Sequence, residues 1–243
     1  MLSKIIARLN MWRSGMRSAP LRERMYPIRV NGEELSVQHS KFNLNWIEEL
    51  GIVPEVIVEL GAFDGGDAYR FKKRFPNARM ITVEADPDRI ETVKRALDGS
   101  GVEIHNFAAC DQDGPVDWFA AQVDGNTNAQ GSMYRHTQAY QERFPFVSQA
   151  DKPIQVDGKR FESFCRDAMV DQIDLLHMDI EGAELAVLRS LGDVRPKLIY
   201  LEWRENSFVG HGGGESAAAL LDRQGYTMVG DLGDDRLYRH RLA

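Results

Sequence analysis

The sequence predicts an α/β protein built on a doubly wound, mostly parallel sheet, with a C-terminal antiparallel hairpin and an N-terminal helix and hairpin ahead of it. Three observations carry this. From residue 55 onward, short runs rich in Val, Ile and Leu alternate with stretches of helical period. The runs are apolar on both faces, as strands covered by helices on each side must be. The first of them leads into VELGAFDGGD (58–67), where an acid and three glycines mark a tight turn into a helix, and such sheets take their ligands beyond the carboxyl ends of the strands.

Taken in order, Leu2, Ile5, Ile6, Leu9, Trp12 and Met16 recur at helical spacing with Lys and Arg between them, the pattern of a basic amphipathic helix. IRVNGEELSV (28–37) places Asn31-Gly32 between two short runs, a hairpin signal because both residues accept positive φ. NLNWIEEL (43–50) is a short helix stopped by Gly51. Residues 1–50 thus form an appended segment, and 51–243 the main domain. There, EVIVEL (55–60), RMITVEA (79–85) and VEIHNFA (102–108) are the first three core strands, separated by a helix over 66–75 and a second opened by Pro87. VDWFAA (116–121) reads as an edge strand. Residues 122–152 are polar and irregular, with a helix near 134–143, and a segment of this length is usually functional or mobile. FESFCRDA (161–168) is a helix, IDLLHMDI (173–180) a buried strand, 182–191 a helix, and KLIYLEW (197–203) the fifth core strand. A helix over 215–224 precedes YTMVGDL (226–232) and RLYRH (236–240), the closing hairpin.

The 243 residues suffice for one well-buried domain with an appendage. A net charge of −7 argues against a general nucleic-acid binder. Residues 1–30 nevertheless hold seven basic side chains and one acid, so this arm suits a different partner from the body: an anionic membrane surface or a second copy of the chain. Two distant cysteines, Cys110 and Cys165, point to a reducing compartment. No apolar run is long enough to span a bilayer, and Lys4, Arg8 and Arg13 interrupt the N-terminus where a signal peptide would be apolar. The expected location is the cytoplasm, with the basic helix suited to the inner membrane face.

The glycine turn admits three ligands. A phosphate-cradling loop needs a Lys-Ser or Lys-Thr that is absent here. A dinucleotide fold needs a third glycine, and position 63 is Phe63. S-adenosylmethionine (SAM) carries no phosphate, and its sulfonium and ammonium charges suit an acid such as Glu59 beside the turn. Glu84 closes the second strand in VEADP (83–87), where a carboxylate accepts ribose hydroxyls, a device shared by nicotinamide and SAM enzymes.

With VELGAFDGGD, TVEADP, HNFAACDQDG, IDLLHMDIEGAE and IYLEW in this order over residues 55–205, the chain resembles the FkbM-type SAM-dependent methyltransferases. The resemblance implies a Rossmann-like class I methyltransferase domain that moves a methyl group from SAM to a hydroxyl of a carbohydrate, glycoconjugate or related natural product. It implies that Glu59, Gly61, Ala62, Asp64 and Gly65 surround the methionine part of SAM, that Glu84 and Ala85 hold the ribose end, that Ala109 and Asp111 flank the adenine, and that Asp179 lies near the transferred methyl. His177 stands where family members often carry lysine.

A hydroxyl is a poor nucleophile and needs a base or a metal. His177 faces the same way as Asp179 along its strand. His211, in the glycine-rich VGHGGGE (209–215), lies in a loop beyond a strand end, where catalytic groups cluster. Asp179 and Glu202 end strands, with Glu181, Asn206 and His211 close in sequence, a donor set suited to Mg²⁺ or Mn²⁺. Tyr134, Arg135 and His136, in the irregular segment, are placed to line an acceptor pocket. Two other classes stay open on the residues alone. One is a non-catalytic SAM-binding or assembly module; the other is an NAD(P)-dependent oxidoreductase, which the Gly61/Gly65 spacing disfavours.

Overall fold

A computed structural model describes residues 25–210 and 216–243. The basic helix expected over 2–16 and His211 lie outside these residues. The hairpin at 28–37 is present as β1 (Met25–Val30) and β2 (Glu33–Gln38), turning on Asn31 and Gly32, both at positive φ. Ile28, Val30 and Val37 pack on Ala96. The following helix, α1 (Asn45–Glu49), buries Trp46 and Ile47 in the same cluster as Phe71, Met80 and Tyr200 of the main sheet and its helices.

The alternating region then builds β3 (Val56–Leu60), α2 (Gly66–Arg74), β4 (Arg79–Glu84), α3 (Ile90–Ala96) and β5 (Glu103–Asn106). VEIHNFA does not run through as one strand. The chain breaks at Phe107 and continues as β6 (Ala108–Cys110), which leaves the main sheet and pairs elsewhere. VDWFAA does open with an edge strand, though of a smaller sheet: β7 (Gly114–Trp118) pairs with β11 (Ile154–Arg160), which takes β6 as its parallel neighbour on the other side. β11 escaped the sequence reading because IQVDGKR carries only two apolar residues and buries little but Gly158. Between them, the irregular segment holds β8 (Ala121–Val123), β9 (Asn126–Thr127) and β10 (Ser148–Gln149), paired in one small sheet. Its helix, α4 (Gln138–Arg143), is shorter than 134–143 because Thr137 caps it, accepting from the Tyr140 N–H.

After α5 (Phe161–Asp167) the main sheet resumes with β12 (Leu175–Met178), α6 (Glu184–Arg189), β13 (Leu198–Glu202) and α7 (Ala217–Arg223), and ends in β14 (Tyr226–Leu232) and β15 (Asp235–His240). The strand order is β14-β15-β13-β12-β3-β4-β5, parallel from β13 to β5 and antiparallel at β15 and β14. β3 is therefore the switch strand: the chain winds first to β4 and β5 on one side, then returns to β12 and β13 on the other. The crevice above its carboxyl end is where such sheets bind ligands. One large apolar cluster with Leu60, Val83, Phe164, Leu176 and Leu188 fills one face; the other holds Phe42, Ile47, Phe71 and Leu175.

Candidate functional site

The turn after β3 sets the floor of the site. Gly61 sits at φ +93°, and its N–H and that of Ala62 donate to the Val83 carbonyl at 2.9 and 3.1 Å. A Cβ on Gly61 would lie 2.0 Å from the Asp179 carbonyl oxygen. Glycine is thus required twice, for the left-handed backbone and for the approach of the neighbouring strand end. Gly61→Ala should cost roughly 2–5 kcal/mol in backbone strain and displaced packing. The check is the shift in denaturant midpoint; a variant within 1 kcal/mol of wild type would refute the argument.

The turn is then tied to its surroundings by carboxylates. Phe63, itself at φ +52°, donates its N–H to Glu84 Oε2 at 2.6 Å, and Asp86 donates to Oε1 at 2.8 Å. Asp64 accepts from the backbone N–H of Gln38 at 2.9 Å and of Gly66 at 3.0 Å. Burial pushes Asp64 up to about 6 and Glu84 up to about 7, with these backbone bonds opposing the rise. Asp67 accepts from the Ser40 N–H at 2.5 Å and pairs with Arg70 at 2.7 Å. Residues 38–40 of the N-terminal segment therefore form one wall of the site.

The opposite wall is the end of β12. The Asp179 N–H donates to the Leu60 carbonyl at 3.0 Å, which extends the parallel ladder one rung past both strands. Asp179, Glu181 and Glu202 bring carboxylate oxygens within 4.8 Å of one another. Burial pushes Asp179 up to about 7, with the Glu181 charge adding to the rise; burial also raises Glu181 to about 7 and holds Glu202 well above the carboxylate range. Arg204 answers two of these acids: it bonds Glu181 through Nη1 and Glu202 through Nη2, the latter at 2.6 Å. Glu184 instead caps its own turn, accepting from the Gly182 N–H at 3.1 Å.

A strap formed by residues 119–150 covers the crevice. The Ser132 hydroxyl donates to the Glu181 carbonyl at 2.6 Å, and Phe119 and Ser132 exchange backbone bonds. Gly131 packs so closely on Trp118 that a Cβ would meet the indole at 2.7 Å. Beneath the strap lies a cleft lined by residues of the glycine turn, the ends of β4 and β12, residues 38–40 and the strap itself.

Of the residues expected from the sequence, Gly61, Ala62, Asp64, Glu84, Ala85, Ala109, His177 and Asp179 line this cleft. Glu59 does not; it lies buried beneath the turn, accepting from the Thr82 hydroxyl. Gly65 faces Ala96 and Leu97 at the end of α3 rather than the cleft. Asp111 is exposed, outside the cleft lining, and its carbonyl accepts from Arg160 at 2.8 Å. His177 reaches the cleft only at its deepest point. It is 1% exposed, stacks on Tyr200 with centroids 4.9 Å apart, and bonds the Ser40 hydroxyl at 3.0 Å. Burial pushes it down to about 4, so it is neutral at pH 7. Tyr134, Arg135 and His136 are not in the lining. Arg135 lies over the Phe119 ring at 4.0 Å, and His136 stacks on Tyr140 at 3.8 Å, so both stiffen the strap. The sequence reading missed Asp86, Trp118, Asn128, Met133 and Arg204. Arg204 carried a usable signal, a lone base two residues past the strand-end acid Glu202.

The donor set does not fit a dication well, because a guanidinium already holds two of the three carboxylates. The fit to SAM is better: a turn with bare backbone, an acid closing the second strand and several carboxylates facing a cleft suit a cationic ligand.

The comparison with known families decides the rest. The model of the methyltransferase FkbM domain matches residues 59–228. The chain belongs to the FkbM methyltransferase family. Its sheet is accordingly the Rossmann-like class I methyltransferase sheet. Among curated proteins, it is 28% identical over 159 residues to the 2-O-methyltransferase NoeI of Sinorhizobium fredii, covering 62% of this chain and 63% of that protein. It is 26% identical over 185 residues to Methyltransferase 1 of Beauveria bassiana, covering 71% and 72%. The chain thus spans somewhat less than two thirds of NoeI. Among solved structures, the N-terminal domain of EvdMO1 with SAH bound aligns with a TM-score of 0.38 at 13% identity, over 99% of this chain and 82% of that one. No helix among the described residues of this FkbM protein is long and apolar enough to cross a membrane.

Proposed function

We propose that this FkbM protein is a SAM-dependent O-methyltransferase acting on a hydroxyl of a carbohydrate or glycoconjugate. The observation that carries the proposal is the meeting of the Gly61 turn, Glu84 and Asp179 in one strapped cleft at the switch strand. The 2-O-methyltransferase name of one relative supports oxygen as the target.

Bound SAM supplies a methyl group on a sulfonium, an electrophile without further activation. The chain must align the acceptor oxygen, exclude water and take one proton. The strap excludes water. Glu84, with one backbone N–H on each oxygen, keeps free lone pairs for ribose hydroxyls. Asp179 is the base: the acceptor O–H proton passes to its carboxylate while the new O–C bond forms and the S–C bond breaks. Its environment suits the task, because a base near pH 7 combines an available carboxylate with adequate basicity. His177 serves instead to shape the wall. Arg204 replaces the divalent cation considered for this cluster.

The test is transfer of labelled methyl from SAM to a panel of mono- and oligosaccharide acceptors, run with and without EDTA. Label in an alkali-stable sugar ether, undiminished by EDTA, is expected. SAH binding without transfer to any hydroxyl would favour the assembly-module reading, and EDTA-sensitive transfer would restore the metal. The basic N-terminal segment is proposed as a contact for anionic membrane or for a second copy. Failure of anionic liposomes to retain the full chain would remove the membrane half of that proposal.

A further inference from the structure

Three polar side-chain atoms lining the same cleft have no hydrogen-bond partner among the described residues: Asp86 Oδ2, Trp118 Nε1 and Arg89 Nε. Asp86 is 3% exposed and Trp118 8%. Buried polar atoms are almost always satisfied, and an orphan in a cleft marks the place of a ligand group. They come from two places in the chain: Asp86 and Arg89 share the turn between β4 and α3, and Trp118 is brought to them from the end of β7, so local turn geometry does not explain the meeting of Asp86 and Trp118.

Each is held in place by its other contacts. Asp86 Oδ1 accepts the Asp88 N–H at 2.9 Å, which fixes the carboxylate and leaves Oδ2 open. The Trp118 ring is pinned by Gly131. Arg89 lays its guanidinium over the Phe63 ring at 4.6 Å. The Trp118 N–H is near enough to the Asp86 carboxylate to stabilise its charge, yet the two do not reach hydrogen-bond geometry. An acceptor and a donor therefore stand side by side in the cleft wall.

Their position says which end of a ligand they meet. Asp179 lies on the β12 side of the switch strand; Asp86 and its neighbours lie on the β4 side, immediately past Glu84 and Ala85. That is the nucleoside end if SAM is the ligand, and the inference rests on that reading. Asp111, the acid expected to flank the adenine, is outside the cleft lining, so the amino group needs another acceptor. The geometry points to Asp86 and Trp118 as the pair that reads the adenine edge, Asp86 Oδ2 accepting from the 6-amino group and Trp118 Nε1–H donating to the adjacent ring nitrogen. Adenine offers a donor and an acceptor side by side, as this pair requires. A 6-oxopurine presents an acceptor at the first position and would face the carboxylate with lone pairs only.

The experiment is titration calorimetry of the full chain with SAH and with S-inosylhomocysteine, its 6-oxo counterpart. Wild type should prefer SAH by about tenfold or more, the effect of leaving a buried polar group unpaired. Asp86→Asn keeps an oxygen for the Asp88 N–H and turns the open atom into a donor, so the preference should fall to within about threefold. Trp118→Phe removes the indole N–H, together with the ring atoms that lie against Gly131, and should weaken SAH about fivefold or more. Thermal melts establish that both variants are folded. An unchanged preference in Asp86→Asn would overturn the inference and leave the cofactor reading standing, the pair being a structural clamp. A loss confined to 2′- or 3′-deoxy SAH, relieved by Asp86→Asn, would overturn it in favour of a ribose contact. Failure of wild type to bind SAH at all would bring down the cofactor reading beneath it.

Discussion

Asp179→Asn should lower kcat by about 10²–10⁴, the usual contribution of a general base, while SAH affinity stays within about threefold. The amide is nearly isosteric, so the Asp179 N–H bond to Leu60 and the fit against Gly61 are kept. What is lost is the proton acceptor. Asp179 is the one member of the acid cluster that Arg204 does not bond directly, and a hydrogen bond from Glu202 favours its charged form, so it is the member placed to take a proton from an acceptor hydroxyl. The wild-type pH profile should carry the same signature. Burial and the Glu181 charge raise Asp179 to about 7, so the base is protonated, and activity lost, as the pH falls through that region. Because Asp179 and Glu202 interact, the apparent value belongs to the pair. Glu202, held protonated by its burial, donates a hydrogen bond that lowers Asp179, so Glu202→Ala should move the acid limb upward. A variant with near wild-type kcat, or a limb that ignores Glu202, would remove Asp179 from its role.

Arg204→Met should destabilise the fold by about 3–5 kcal/mol at pH 8, the cost of stranding buried carboxylates by deleting their partner. The side chains of Arg204, Glu181 and Glu202 are all about nine-tenths buried, so solvent screening offsets little of this. The direction with pH follows from proton linkage. Burial holds Glu181 and Glu202 above their unfolded values even with Arg204 present, and removing the guanidinium raises them further. The folded variant then binds more protons than the unfolded chain from about pH 4.5 upward, so its stability is greatest below that value and is lost as the pH rises through the elevated folded values. The gap in melting temperature between wild type and variant should widen from pH 5.5 to pH 8. A constant gap would mean that packing of the guanidinium over Tyr140 and Phe144, and not charge, is what the residue contributes.

The parts of this molecule that were readable from sequence are those where one local signal agrees with the fold around it. Gly61 is followed by a helix and preceded by a buried strand, and both its roles are backbone roles that only glycine fills. Glu84 ends its strand and lines the cleft, as its position before Pro87 led one to expect. The closing hairpin and the Asn31-Gly32 hairpin follow from patterning and turn chemistry. The errors arise where long-range pairing decides. Nothing in VEIHNFA announces that Phe107 ends one sheet and Ala108 begins another. β7 and β11 find each other across the whole strap, and β11 has almost no apolar pattern to betray it. Gly65 looked like part of the ligand turn, but its bare backbone makes room for Leu97. Asp111 lies one residue past β6, and the path of the chain beyond that strand carries it to the surface. His177 had the right parity for the cleft, and the stacking on Tyr200 that makes it a wall residue depends on a strand that follows it in the chain.

The rung between Asp179 and Leu60 has a consequence for how the protein is made. The glycine turn emerges early in synthesis, yet the wall it faces arrives only after β4 to β11 have been threaded to the far side and the chain has come back. Loop closure of that length is slow relative to local pairing. A nascent chain halted before β12 displays the whole glycine-rich signature and has nothing to hold against it. Cofactor capture is thus a certificate of completed winding: it becomes available when the crossover closes, and a chain that binds its cofactor has already passed its slowest topological step.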